Sequence, residues 1–128
     1  MRYWPLLLAL PLALAAGGTA QAIVRVHINL STQRMYVASS SGNYVWPVST
    51  ARRGYRTPRG SFAAKSLQPM HYSSKYENAP MPHSIFFSGG YAIHGTYQTR
   101  SLGRPVSHGC VRLSPAHAAA LYNMVRRE

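Results

Sequence analysis

The residues of this chain that are best suited to catalysis lie between positions 94 and 112. Cys110, the one cysteine in 128 residues, directly follows a glycine, and two histidines precede it, His94 and His108. A thiol attacks as its thiolate, so an ordinary cysteine, with a pKa of about 8.5, needs a neighbouring base, a cation or backbone dipoles. The pattern predicts a cysteine nucleophile with His94 as general base and acid, and with His108 shaping the loop.

The group that orients the imidazole must come from the backbone. The chain has no aspartate, and neither Glu77 nor Glu128 is close in sequence to the two histidines. A Cys-His-Asp triad is therefore excluded, and the carbonyl of Gly95 is the predicted partner of His94. Gly109 allows a tight turn, and its N–H and that of Cys110 are predicted to donate to the oxyanion that develops on the substrate.

Arg112 is the first of the predicted substrate-binding residues. It lies two positions after Cys110, so an extended chain places both side chains on one face. Its planar guanidinium suits a carboxylate, which predicts a substrate with a carbonyl to attack and a carboxylate nearby. The remaining residues assigned to substrate binding are Ser107, Tyr97 and His83.

Two motifs carry a resemblance to a known family. His94-Gly95-Thr96 and the later run Ser-His-Gly-Cys-Val-Arg-Leu at residues 107–113 resemble the signature of L,D-transpeptidases with a YkuD-type catalytic domain. The similarity extends through residues 81–87 and 89–93. The resemblance implies a mainly β fold, a YkuD-like β-sandwich with a C-terminal α-helix packed beside the catalytic turn.

The resemblance also implies a function in cell wall biogenesis and cell shape. The cysteine would form a thioester with a peptidoglycan stem peptide, release D-Ala and pass the acyl group to an amine, giving a 3-3 cross-link. The acceptor is a second stem peptide or an outer-membrane protein. No cofactor is implied, and a monomer is expected. Two alternatives stay open: an L,D-carboxypeptidase of the same fold, and a non-catalytic basic module that binds the envelope.

A zinc site is the competing chemistry for these residues. His94, His108 and Cys110 would supply three ligands, whereas a structural zinc site takes four and a catalytic site adds water to three. No Cys-x-x-Cys or His-Glu-x-x-His spacing supports such a site. We therefore expect no metal.

The N-terminal segment predicts export. Residues 1–22 read as a signal peptide, with Arg2, an apolar run over residues 6–16 and a small-x-small cleavage site ending at Ala22. A retained anchor is the alternative. The domain then spans residues 23–128 and is expected in the periplasm.

The formal charge of the chain favours an anionic partner. It is +12, and removal of Arg2 lowers it to +11. Such an excess of cations suggests either an anionic partner or solubility alone. Export argues against nucleic acid.

Hydrophobic alternation and turn signals place the secondary structure. A loop rich in Gly and Arg spans residues 51–60. Residues 66–82 show no period and are expected, with residues 97–105, to form a structureless wall of the substrate cleft. A helix begins after Ser114, with Pro115 at its first position. The predicted strands are residues 23–29, 34–38, 44–50, 61–65, 83–87 and 91–94.

Overall fold

The computed structural model describes residues 23–128 as two β-sheets and one α-helix, so the predicted signal peptide lies outside the described residues. The mainly β fold with a C-terminal helix is as expected. In chain order the elements are β1 (Arg25–Asn29), β2 (Arg34–Ser39), β3 (Gly42–Pro47), β4 (Ser66–Ser73), β5 (Ala79–Ser88), β6 (Tyr91–Gly95), a 3-10 helix (Thr99–Ser101), β7 (Val111–Leu113) and α1 (Pro115–Arg127).

The first sheet is an antiparallel meander of β1, β2 and β3. Its alternating residues separate by face: Met35 and Val37 are buried, whereas Tyr36 between them is exposed. Pro47 ends β3, which is an edge strand, as expected for a residue that cannot donate to a β-ladder. The buried face of this sheet forms one side of the core.

The second sheet contains β4, β5, β6 and β7 in that order. Its first three strands are antiparallel, whereas β7 runs parallel to β6 with Ile93 opposite Val111 and His94 opposite Arg112. Paired residues of neighbouring strands point to the same face. Ile93 and Val111 therefore enter the core, and His94 and Arg112 lie on the opposite face.

Residues 48–51 connect the two sheets by pairing with the free side of β7. Ser49 and Arg112 exchange two backbone hydrogen bonds, of 3.1 and 2.8 Å. Ser107 donates its N–H to the carbonyl of Thr50 at 2.9 Å. Both β7 and the loop before it are thus held from two sides.

Helix α1 packs on the second sheet and closes the core. Leu113 and Leu121 are fully buried in a cluster to which both sheets and the helix contribute. The indole of Trp46 on β3 stacks on the ring of His117, with centroids 4.6 Å apart, so α1 also contacts the first sheet. Within residues 23–128, no helix has the length and apolarity needed to cross a membrane.

The structure corrects the expectation for residues 61–82. The strand predicted at residues 61–65 is irregular, and residues 66–82, expected to lack structure, form most of the hairpin of β4 and β5. Because β4 is an edge strand exposed along much of its length, it needs no hydrophobic alternation. Residues 66–73 form a strand because they pair with β5, and this pairing cannot be predicted from the sequence of β4 alone.

The N-cap of α1 offers a test of the helix boundary. Ser114 Oγ accepts a hydrogen bond from the His117 N–H at 3.1 Å. We expect Ser114→Ala to lower the free energy of unfolding by about 1 kcal/mol, because one N-terminal N–H loses its partner. Urea denaturation measures the change, and Ser31→Ala in the exposed β1–β2 turn is the control. An equal loss in both variants would contradict the cap.

Candidate active site

The parallel pair β6 and β7 brings His94 and Cys110 onto one face of the second sheet. Cys110 directly precedes β7, and the Ala92 N–H donates to its Sγ at 3.4 Å. The thiol in turn donates a long, weak hydrogen bond, 3.9 Å, to the Gly90 carbonyl. His94 is paired with Arg112 across β6 and β7, and Arg112 is two positions after Cys110, so the three side chains share one face.

His94 is held in one orientation by its neighbour. Its side chain is 6% exposed, and its Nδ1 lies 2.6 Å from the Gly95 carbonyl oxygen. A carbonyl oxygen can only accept, so this contact assigns the proton to Nδ1 and leaves Nε2 free to take one. The predicted pairing of His94 with the Gly95 carbonyl is thus the geometry that the structure contains.

Burial sets the protonation of both groups. The pKa of His94 is lowered to about 4, mainly by burial and also by the charges of Arg112 and His71, although the hydrogen bond that it donates to the Gly95 carbonyl opposes this shift. Burial raises the pKa of the Cys110 thiol, although the Ala92 N–H and Arg112 oppose that effect. At neutral pH the resting site therefore contains a thiol and a neutral imidazole.

The turn that carries Cys110 is closed by Ser107. Its Oγ accepts from the Gly109 N–H at 3.0 Å and donates to the Cys110 carbonyl at 2.7 Å. One expectation is corrected here, because the Gly109 N–H already has a partner and is not free to donate to an oxyanion. Ser107 lines the cleft, and its hydroxyl is engaged within the turn. No residue of 23–128 accepts a hydrogen bond from the Cys110 N–H, so this N–H can donate to the oxyanion.

Gly109 itself is required by shape. Its φ of +138° is one that L-residues with side chains rarely adopt. A Cβ at this position would lie 2.8 Å from the Arg56 carbonyl oxygen and would overlap the ring of Tyr91. The turn is therefore closed on both sides.

Thr57 supports this turn from the loop at residues 51–60, and no motif or spacing predicted this role. Its buried hydroxyl donates to the Gly109 carbonyl at 2.9 Å and accepts from the Ala51 N–H at 3.0 Å. The two bonded residues Thr57 and Gly109 are far apart in the chain, so local pattern could not reveal the contact.

His108 joins the turn to the tip of the β4–β5 hairpin. Its ring stacks on Tyr76, with centroids 4.0 Å apart and planes 7° apart, and Tyr55 meets its edge at 4.8 Å. Slight burial and the nearby charges of Arg52 and Arg112 lower the pKa of His108. The ring is committed to these contacts, in keeping with a loop-shaping residue.

A cleft of about 940 Å³ opens in front of Cys110 and His94. The half-buried Arg112 lines it, as does Tyr97, whose side chain is 61% exposed. The tip of the β4–β5 hairpin forms another part of the wall. Residues 66–82 therefore contribute to the cleft as expected, but as a hairpin and not as a structureless segment. Within the described residues, no cluster of three or more potential metal ligands occurs.

His83 does not belong to the cleft. It is not among the lining residues, and its ring meets the edge of Tyr122 on α1 with centroids 5.2 Å apart. The predicted role in substrate binding is therefore wrong, because this position of β5 faces the helix. The arginine-rich loop lines a separate cavity of about 220 Å³, to which Arg56 and Arg59 contribute.

A two-sheet β domain that presents a cysteine and a buried histidine in one cleft is the arrangement that the resemblance to L,D-transpeptidase catalytic domains implies. The family model for this domain, YkuD, matches residues 23–128. The chain belongs to this family.

Individual relatives agree with the assignment. A protein of Bacillus licheniformis named as an L,D-transpeptidase YkuD is 27% identical over 106 residues, which cover 80% of this chain and 59% of the relative. The structure of an L,D-transpeptidase from Mycobacterium smegmatis superposes with a TM-score of 0.73 at 27% identity, covering 80% of this chain and 54% of that one. L,D-transpeptidase 3 from Mycobacterium tuberculosis shares the fold, with a TM-score of 0.71 at 22% identity over 80% of this chain and 56% of that one. The chain thus spans between half and three-fifths of these relatives.

The depressed pKa of His94 predicts a loss of stability in acid. The unfolded chain protonates this histidine near pH 6.5 and the folded protein near pH 4, so the unfolded state binds more protons between these values. We expect this residue's contribution, about 3 kcal/mol, to be present above pH 6.5 and lost as the pH falls to 4. Urea denaturation across this range measures it. His94→Gln should reduce the pH dependence by that amount, and an unchanged slope would contradict the assignment.

The closed turn predicts an unequal response of two glycines to alanine. Gly103 also has positive φ, +94°, but an added Cβ there meets no atom within 4 Å. We expect Gly109→Ala to destabilise the domain by about 1 to 3 kcal/mol more than Gly103→Ala, because it adds overpacking to backbone strain. Thermal and urea unfolding provide the comparison. Equal losses would show that the turn accommodates a side chain.

Proposed function

We propose that this chain is a peptidoglycan L,D-transpeptidase that works through a Cys110 thioester. The observation that carries the proposal is the shared cleft face of Cys110 and His94, with the imidazole oriented by the Gly95 carbonyl. Family membership supplies the substrate class. The fold and the cleft are compatible with an extended peptide whose carbonyl reaches the thiol.

In the proposed first half-reaction, His94 Nε2 takes the thiol proton as Sγ attacks the carbonyl of the third residue of a stem tetrapeptide. A neutral resting pair makes this proton transfer part of the attack, because neither group is charged beforehand. The Cys110 N–H donates to the oxyanion. Collapse of the tetrahedral intermediate breaks the peptide bond, and the imidazolium returns the proton to the departing D-Ala amine.

The second half-reaction transfers the acyl group. His94 takes a proton from the acceptor amine as that amine attacks the thioester carbonyl. The C–S bond breaks, the thiolate recovers the proton, and the product is a 3-3 cross-linked dimer. Arg112 lies in the same cleft, half-buried, and is placed to bind a carboxylate of the donor peptide.

A feature of one structural relative supports acylation chemistry. The Mycobacterium tuberculosis structure contains a faropenem-derived adduct. A β-lactam is a strained cyclic amide, and opening it by a nucleophile resembles the first half-reaction. We extend this chemistry to Cys110 as part of the proposal.

The remaining expectations belong to the same proposal. The enzyme acts in the periplasm after export and as a monomer. It uses either a second stem peptide or an outer-membrane protein as acceptor.

An L,D-carboxypeptidase activity is the second candidate. Cys110 is partly exposed and lies in an open cleft, so water can reach the thioester. Hydrolysis would release the same D-Ala but leave a monomeric tripeptide. A non-catalytic binding module is the third reading, and it would leave the thiol unreactive.

The test is mass spectrometry of the full chain incubated with purified disaccharide-tetrapeptide. We expect a cross-linked dimer that lacks one D-Ala. Cys110→Ala and His94→Ala should each reduce turnover at least 1,000-fold, since nucleophile and base act as a unit. His108→Ala should lose less, because its ring contacts the hairpin and not the reacting atoms. Tripeptide alone would establish the carboxypeptidase, and unchanged substrate would contradict both enzymes.

A carbapenem provides an independent readout of the nucleophile. We expect one covalent addition to the wild-type chain, located on Cys110 by peptide mapping, and none to Cys110→Ala. Addition to both proteins would place the reactive group elsewhere.

A further inference from the structure

The cleft contains an isolated carboxylate. Its walls include the cations Arg112 and Lys75, and Glu77 is the one acidic side chain among them. The whole sequence has one other, Glu128, which accepts a hydrogen bond from Ser40 Oγ at 2.9 Å and does not line the cleft. In a chain of net charge +12, a negative group at this position locally offsets the positive charge of the cleft.

The backbone around Glu77 is fixed. Ser73 closes the hairpin tip by accepting two hydrogen bonds, from the Tyr76 N–H at its Oγ, 3.1 Å, and from the Asn78 N–H at its carbonyl, 2.8 Å. Glu77 and Asn78 both have left-handed φ values, +56° and +55°. The stack of Tyr76 on His108 then attaches this tip to the turn that carries the nucleophile. Glu77 therefore belongs to a hairpin tip that is attached to this turn, and it lines the same cleft as Cys110 and His94.

The Glu77 carboxylate has no partner among residues 23–128. Lys75, on the same hairpin tip, lies with Nζ 5.6 Å from the centre of the Tyr76 ring. Glu77 thus lines the cleft without an internal counter-ion, whereas Arg112 is half-buried and lines the same cleft as Cys110 and His94. The cleft offers one anionic group and separate cationic groups to a ligand.

We propose that Glu77 forms an ammonium subsite that binds the primary amine of the acceptor. This inference rests on the proposed transpeptidation, in which the donor brings carboxylates and the acceptor must bring an amine. An alkyl amine is protonated at neutral pH, so it arrives as a cation and is attracted to a carboxylate. Glu77 binds the ammonium group, which must first lose one proton to solvent to give the neutral amine. His94 then takes a second proton as the C–N bond forms and passes it to the departing thiolate.

The subsite determines whether the thioester reacts mainly with the acceptor amine or with water. Water needs no charge recognition, whereas an ammonium group in a cleft with Arg112 and Lys75 meets repulsion unless Glu77 offsets it. Loss of the negative charge should therefore favour hydrolysis over transpeptidation. Glu77 is a specificity-determining residue in this scheme.

The experiment compares Glu77→Gln with Glu128→Gln in the full chain. Each substitution removes one carboxylate and keeps the size of the side chain, but only the first lies in the cleft. Disaccharide-tetrapeptide serves as donor, and a tripeptide stem with a free side-chain amine is titrated as acceptor. Mass spectrometry measures D-Ala, dimer and tripeptide at each concentration.

We expect Glu77→Gln to raise the acceptor KM about fivefold, which corresponds to an exposed ion pair of about 1 kcal/mol. The ratio of dimer to hydrolysed tripeptide should fall by a similar factor. Added salt should reduce the difference from wild type, since exposed charges are screened. Glu77→Asp should recover part of the lost dimer, and Glu128→Gln should match wild type throughout. Circular dichroism checks that the variants are folded.

The outcomes separate the subsite from the reaction. Wild-type protein that forms dimer, with an unchanged acceptor KM in Glu77→Gln or an equal shift in Glu128→Gln, would overturn the ammonium subsite alone. Wild-type protein that releases D-Ala without forming dimer at any acceptor concentration would overturn both the transpeptidation and the subsite. A rise in acceptor KM confined to Glu77→Gln supports both.

Discussion

The arrangement of the site depends on one constraint, the position of the three-residue strand β7 between two backbone neighbours. On one side β6 runs parallel to it, and on the other Ser49 exchanges hydrogen bonds with Arg112. A strand this short has few contacts of its own, so its register must be set by both partners. That register places His94 beside Arg112 and leaves Cys110 at the point where the chain enters the sheet.

The hydrogen bonds of the turn before β7 are mostly internal. Ser107 joins Gly109 to Cys110, and Thr57 holds the Gly109 carbonyl from a distant loop. These bonds satisfy buried polar groups whose loss would be costly. They also fix the direction of the sulfur and leave the Cys110 N–H free. Rigidity of the nucleophile thus comes from groups that do not touch substrate.

Burial shifts the pKa values of His94 and Cys110 in opposite directions. It disfavours the imidazolium and the thiolate alike, so it stabilises the neutral pair over the ion pair. The strongly basic chain adds to this effect at His94, because Arg112 lies close to the imidazole. In the proposed reaction, the same arginine would favour a negative charge on the sulfur, since it opposes the rise in the pKa of Cys110.

The sequence by itself predicted the candidate site residues Cys110 and His94, the Gly95 carbonyl as partner of His94, the mainly β class and the N-cap at Ser114, because each depends on residue type and short spacing. Tertiary structure alone decided the partners that cross long distances. In the folded chain the Gly109 N–H donates to Ser107, and the ring of His83 contacts Tyr122. Residues 66–82, predicted to lack structure, form most of a hairpin. Tertiary structure also set Tyr76 on His108 and brought Glu77 to the cleft. Local pattern reports which face of an element is apolar, but not which distant group packs against it.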